Sequence, residues 1–181
     1  TPTAIISALQ GVMKFTVAIV AEDISGTTAV QRIVHLGSNS LNGQFAVCIS
    51  PDGLEVRFNA ENALPAERYR RRYTMTSGAG THVYRVEIDT SQASEPDRCK
   101  VYKDNVLLVR DSLNPTSLLQ QDATLNLNLS DHSLVIGNRG DATRSPIGKI
   151  GYVDLVIGSV DGAVQTAALF DDCNSDWQTY V

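Results

Sequence analysis

Apolar and polar positions alternate with a period of two along most of this chain. In Phe15-Thr16-Val17-Ala18-Ile19 the larger apolar groups take the odd positions, and in Leu54-Glu55-Val56-Arg57-Phe58 they take the even ones with charges between them. Tyr84, Val86 and Ile88 alternate with Val83, Arg85, Glu87 and Asp89, and Leu125, Leu127 and Leu129 with Asn126 and Asn128. Successive side chains of a strand point to opposite sheet faces, so the pattern predicts strands packed on one side and solvated on the other. Turn chemistry falls between them at Pro51-Asp52-Gly53, at Asp104-Asn105 and from Gly137 to Pro146. Asp and Asn tolerate positive φ, so Asp104-Asn105 suits a two-residue hairpin turn. Short strands spaced by about 8–12 residues, with no long helical pattern, predict an all-β, antiparallel two-sheet β-sandwich. Ala4 to Met13 reads either as a short amphipathic helix or as an irregular first strand.

Composition narrows the function classes. At 181 residues and 43% hydrophobic, the chain is expected to form a single domain over residues 1–181 with one core and no disordered tail. No apolar stretch reaches the ~18 residues of a membrane helix, so no membrane insertion is expected. Fifteen basic against twenty acidic residues give a net charge of -5, which makes nucleic acid a poor partner. Cys48, Cys99 and Cys173 lie far apart and form neither a zinc knuckle nor a disulfide framework. Thr1-Pro2-Thr3 does not open a basic n-region, and no signal peptide is visible.

Three segments, in order and spacing, resemble the concanavalin A-like lectin and glucanase superfamily, closest to its laminin-G-like jelly-roll domains. The first runs from Phe15–Ile19 through Ile33-Val34-His35-Leu36-Gly37-Ser38 to Ser50-Pro51-Asp52-Gly53-Leu54-Glu55-Val56. The second is His82–Asp89 leading to Cys99-Lys100-Val101-Tyr102-Lys103-Asp104-Asn105-Val106-Leu107. The third is Ser133–Arg139 followed by Ile147–Ile157. Together they cover about residues 15–158; Ile19 stands where the family usually has Trp, and Asn105 where it has Gly. The resemblance implies a jelly-roll of two antiparallel sheets, used for glycan binding, adhesion, virion surfaces and, in some branches, glycan cleavage. Fold alone does not choose among these.

Related glucanases carry E-x-D-x-E or E-x-D-x-x-E on one strand, and Glu87-Ile88-Asp89 matches its beginning. The second glutamate position falls on Ser91 or Gln92, so no group is left to protonate a leaving oxygen. The simpler reading puts Glu87 and Asp89 on the solvated face of their strand. No HExxH, G-x-S-x-G or Walker loop is present, Gly78-Ala79-Gly80-Thr81-His82 is no phosphate cradle, and His35, His82 and His132 are scattered. Calcium is the cofactor the family raises. Asp171, Asp172, Asn174 and Asp176 have a D-x-N-x-D rhythm of hard oxygen ligands, yet Trp177 replaces the EF-hand glycine. The competing reading is an acidic solvated turn.

The densest local chemistry is Arg68-Tyr69-Arg70-Arg71-Arg72-Tyr73, four guanidinium groups and two phenol rings in six residues. Guanidinium forks pair with carboxylate or phosphate, and tyrosine rings stack on sugars, so an acidic glycan or a neighbouring protein subunit is the expected ligand. The alternative is an edge strand guarded by its arginines. Arg139-Gly140-Asp141 adds a candidate adhesion tripeptide in a loop. These observations favour a non-catalytic lectin-like module working in an oligomer or larger surface assembly, such as a viral (bacteriophage) capsid decoration or tail component. That places it at a virion surface or outside cells. Two alternatives stand beside it: a glycan-active enzyme, either a diverged glucanase or a polysaccharide lyase using Glu87, Asp89 and residues of the 68–73 run, and a calcium-dependent lectin.

Overall fold

The structure, a computed structural model, describes residues 8–9, 14–22, 31–37, 44–50, 53–58, 69–75, 80–111, 118–125, 134–136, 148–160 and 178–180. They form β1 (Lys14–Glu22), β2 (Gln31–Gly37), β3 (Gln44–Ser50), β4 (Gly53–Phe58), β5 (Tyr69–Thr74), β6 (Thr81–Asp89), β7 (Cys99–Lys103), β8 (Val106–Leu107), β9 (Val109–Arg110), β10 (Leu134–Ile136), β11 (Gly148–Ile157) and β12 (Gln178–Tyr180), with a 3₁₀ turn at Glu95–Asp97. The strands make two six-stranded sheets, β12-β11-β1-β6-β7-β8 and β10-β2-β3-β4-β5-β9. Every pairing is antiparallel, from β1 with β6 and β11 in the first sheet to β5 with β9 in the second. The expected β-sandwich is the fold observed.

The alternating apolar positions close between the sheets. Phe15, Val17, Ile19 and Ala21 of β1 and Tyr84, Val86 and Ile88 of β6 share one core with Ile33, Phe45, Val47, Leu54, Val56 and Tyr73 of the second sheet. Each Val, Ile, Leu or Phe among them contributes about 1.5–3 kcal/mol by leaving water. Phe15 and Phe45 join the sheets edge to face, with ring centroids 5.3 Å apart. Of the Ala4–Met13 segment, Ala8 and Leu9 are helical and Leu9 is buried in the core; the rest lies outside the described residues. Leu125 is an isolated bridge residue in the same core, and the rest of its expected strand also lies outside them.

Two turns set the register. Asp104 and Asn105 have φ of 50° and 64° and join Lys103 to Val106, the backbone of a type I′ hairpin. Asn105 accepts a hydrogen bond at Oδ1 from Arg85 Nη1 at 3.2 Å, which a glycine could not do. Gly53 opens β4 opposite Ser50 at φ 152°, and a Cβ there would stand 2.3 Å from the Tyr73 carbonyl oxygen. Leu108 then carries the chain between sheets: β8 is an edge of the first, β9 an edge of the second, and Leu108 packs on the core.

Candidate functional site

Strand alternation divides the arginine–tyrosine run between two environments. Tyr73 stands opposite Leu54 and Arg71 opposite Val56, both of whose partners are core residues, while Arg72 stands opposite Glu55. Tyr73 is buried and its hydroxyl donates to the Cys99 carbonyl at 2.9 Å, so its ring is core rather than a sugar platform. Arg71 is one of the largest fully buried side chains. Arg72 lies on the outer face. Tyr69 and Arg70 hold register positions opposite Phe58 and Arg57. Arg68 lies outside the described residues.

On that outer face Glu55, buried at the centre of β4, receives two arginines. Arg57 donates to its Oε2 from Nε at 2.9 Å and from Nη2, and Arg72 Nη2 lies 3.5 Å from Oε1. Arg72 Nη1 also faces Asp111 Oδ2 at 3.8 Å. The carboxylate holds the Arg57 guanidinium through two donors on one oxygen and attracts the Arg72 charge through the other. The face is buried at His35, Ala46 and Cys48 of β2 and β3 and partly exposed at β4 and β5, where the Arg57 and Arg72 side chains are 22% and 18% exposed. Sequence reading singled out Arg72 but missed Glu55 and Arg57. Their alternation on the polar side of β4 was visible; their pairing with β5 was not.

The outer face of the first sheet is different from the expected solvated one. Glu87 and Asp89 do point away from Tyr84, Val86 and Ile88, but both are buried, together with Thr16, Ala18, Val20, Val83 and Arg85. Arg85 Nε forms an ion pair with Glu87 Oε1 at 2.9 Å, and the Arg85 guanidinium stacks 4.1 Å over the Tyr102 ring. Burial pushes the Glu87 carboxyl up, against the lowering pull of Arg85, Tyr102 and Lys100. Burial also pushes Asp89 up, but hydrogen bonds from Ser91, Gln92 and Lys14 outweigh it and bring it from 3.8 to about 2. Ser91 Oγ stands 2.6 Å, Gln92 Nε2 2.9 Å and Lys14 Nζ 3.3 Å from its oxygens. The E-x-D pair is therefore held in place by neighbours, with Ser91 and Gln92 occupying the positions of the absent acid.

The remaining candidates do not converge. His82 Nδ1 pairs with Asp104 Oδ2 at 2.6 Å beside the β7–β8 hairpin, whereas His35 lies in the other sheet. Among the described residues no group of three or more His, Cys, Asp or Glu side chains is placed to hold a metal ion. Cys48 and Cys99 are buried thiols. Arg139, Asp171, Asp172, Asn174, Asp176, His132 and Cys173 lie outside the described residues, and with them the adhesion tripeptide and the calcium candidate. No described helix is long and apolar enough to cross a membrane.

No protein-family model matches the sequence, and no curated protein does. Solved structures do resemble the fold. The CBM40 domain of the Ruminococcus gnavus IT-sialidase aligns over 92% of this chain and 86% of its own, at a TM-score of 0.59 and 14% identity. The same domain bound to α2,3-sialyllactose aligns over 87% and 83%, at 0.55 and 14%. Botulinum neurotoxin type C, whose cell entry depends upon interaction with two ganglioside molecules, aligns over 87% of this chain and 36% of its own, at 0.50 and 10%. At these identities the likeness is one of fold alone, an antiparallel two-sheet β-sandwich.

Proposed function

We propose that residues 1–181 form one non-catalytic carbohydrate-binding domain, of the laminin-G-like branch of the concanavalin A-like superfamily, that recognises acidic glycans. The observation that carries this reading is the Arg57–Glu55–Arg72 cluster, where two partly exposed arginine side chains share one buried carboxylate on the outer face of the second sheet. Arg70, opposite Arg57 in the register, adds a further positive charge to the same strands. A glycan carboxylate meets forked donors held in position before it arrives, which lowers the ordering cost of binding. Sialyllactose, the ligand of a structural neighbour, bears such a carboxylate. The non-catalytic part of the reading rests on Glu87 and Asp89, whose oxygens are already engaged by Arg85, Ser91, Gln92 and Lys14.

Calorimetric titration with 3′-sialyllactose and with lactose tests it. The acidic sugar binds and the neutral one does not, Arg57→Ala and Arg72→Ala each weaken binding about tenfold or more, equivalent to at least ~1.4 kcal/mol, and added salt weakens it further. Equal binding of both sugars, or of neither, removes the reading.

A second reading concerns neighbouring subunits in a larger assembly, a viral or bacteriophage surface included. Val106, Leu107 and Val109 are 66%, 54% and 75% exposed along the adjoining edges of both sheets. Exposed apolar edges favour association with another chain. Light scattering on the wild type and on Val106→Lys/Val109→Lys tests this; a wild type that stays monomeric at high concentration counts against it.

A further inference from the structure

β8 ends the first sheet with Val106 and Leu107, and among the described residues no strand pairs with its free side. The Asp104-Asn105 turn decides which backbone groups that side carries. In a two-residue hairpin the flanking residues, here Lys103 and Val106, exchange hydrogen bonds, and the next pair out, Tyr102 and Leu107, does not. The bond from the Leu108 amide to the Val101 carbonyl at 2.8 Å keeps that alternation. The N–H and C=O of Leu107 therefore point away from β7, towards the free edge.

The side chains narrow the kind of partner. Val106 and Leu107 project to opposite faces of the sheet, yet both are more than half exposed, as is Val109 beyond them. A partner docked on one face covers only one of the two. An added strand extends both faces at once. The edge also lacks the usual guards against pairing, since no charged residue or proline interrupts Val106 to Val109.

The flanking charges favour a second copy of this chain. Lys103-Asp104 precede the apolar run and Arg110-Asp111 follow it. Two copies meeting antiparallel about a two-fold axis at Leu107 let the two Leu107 residues exchange their N–H and C=O groups as one hydrogen-bonded pair. In that register Asp104 falls towards the second copy's Arg110 and Lys103 towards its Asp111, opposite signs at both ends, whereas parallel pairing sets like against like. The chain leaves the first sheet at Leu108, so the ladder is confined to Val106 and Leu107 and the charges act at its rim. There they keep their internal contacts: Asp104 with His82 at 2.6 Å, Arg110 with Glu95 at 2.6 Å, Asp111 with Arg72 at 3.8 Å, and Lys103 Nζ 5.8 Å from the Tyr84 ring. They set orientation more than strength.

We propose that β8 pairs antiparallel with β8 of a second copy, joining the first sheets of two molecules across a two-fold axis. This names the partner for the reading in which Val106, Leu107 and Val109 meet another chain, and it rests on that reading.

Sedimentation velocity of the whole chain over a concentration series tests it. Wild type passes from monomer to dimer and no further, because an isologous contact closes on itself. Leu107→Pro removes the edge N–H without touching the bonds to β7, and abolishes the dimer. Lys103→Glu and Asp111→Lys, each alone, set like charges at both rims and weaken the dimer about tenfold or more. Mixed in equal amounts, these two variants pair with each other at near wild-type affinity, a result that stands even where Leu107→Pro does not fold. A folded Leu107→Pro that still dimerises overturns the pairing, as do charge variants that behave like wild type or a mixture that recovers nothing. Where Val106→Lys/Val109→Lys nevertheless dissolves the dimer, the edge association survives and only the antiparallel β8 contact falls. A dimer unmoved by Val106→Lys/Val109→Lys removes both, and a wild type monomeric at every concentration overturns the pairing and counts against the edge association with it.

Discussion

Gln92 donates from Nε2 to Asp89 Oδ2 at 2.9 Å, so the side chain standing where the E-x-D-x-x-E pattern of glucanases has its second glutamate instead serves as a prop for the aspartate. This relationship predicts the outcome of restoring the motif. Gln92→Glu sets a second carboxylate against Asp89 and replaces a donor by an acceptor. Like charges at hydrogen-bond distance oppose joint ionisation, so the variant unfolds at lower temperature than wild type at pH 7 and regains part of the loss as pH falls towards 5. It does not acquire glycan hydrolysis. Reducing-end assays on a polysaccharide panel check the last point, and measurable turnover would return the E-x-D strand to catalysis.

Asp89 and Glu87 together predict how stability follows pH. Asp89 is held at about 2 rather than 3.8, so its contribution is complete above pH ~4 and is lost as pH falls through about 2. At 1.36 kcal/mol per unit the shift corresponds to about 2 kcal/mol. Glu87 has the opposite sign: its pKa is raised, its ionised form is the disfavoured one in the fold, and protonation on the way down from neutral removes that penalty. The melting temperature therefore rises slightly as Glu87 takes up its proton and drops between pH ~4 and ~2. Asp89→Asn lowers the neutral-pH melting temperature and flattens the acid drop; a pH profile parallel to wild type would contradict the assignment.

The strands were legible because their inner faces are nearly uniform. Phe15, Val17 and Ile19, Leu54 and Val56, and Tyr84, Val86 and Ile88 each report a period of two, and each set lies in the core. The Asp104-Asn105 turn was legible because few residue pairs accept two consecutive positive φ values. The outer faces were not. Alternation tells that Glu87 and Val86 point apart, but not that the Glu87 side is buried, since that depends on Arg85, Tyr102 and Lys100 converging from β6 and β7. The arginine run was misleading as a unit for a related reason. Residues adjacent in sequence looked like one patch, whereas a strand sends Arg71 and Arg72 to opposite sides, and only the β4–β5 register brings Arg72 to Glu55.

Gly53 offers a steric test of that register. A methyl group there meets the Tyr73 carbonyl oxygen at 2.3 Å, and backbone cannot swing aside as a flexible side chain can. Gly53→Ala is expected to cost about 2–4 kcal/mol by forcing β4 and β5 apart. Gly158, at φ 84° with nothing within 4 Å of where a Cβ would stand, is the control. Gly158→Ala carries only the left-handed backbone penalty of about 1–2 kcal/mol. Denaturant midpoints at constant slope measure both, and equal losses would show that the close approach of β5 is not what selects glycine at residue 53.

Glu55 links stability to recognition. Its buried carboxylate balances Arg57 and Arg72, so Glu55→Gln leaves two guanidinium groups close together with one shared acceptor oxygen and removes the carboxylate they share, Asp111 remaining 3.8 Å from Arg72. Removing one partner of a buried ion pair costs about 3–5 kcal/mol, and the amide's remaining oxygen keeps this variant near the lower end. The same substitution raises the positive potential of the outer β4–β5 face. Where the variant remains folded, its affinity for 3′-sialyllactose rises at low ionic strength and its salt dependence steepens, because the arginines no longer share their charge with an internal acid. Calorimetric titration at two salt concentrations, with circular dichroism to verify folding, separates the effects. Loss of stability together with unchanged salt dependence would assign Glu55 and its arginines to the scaffold and take the glycan site elsewhere.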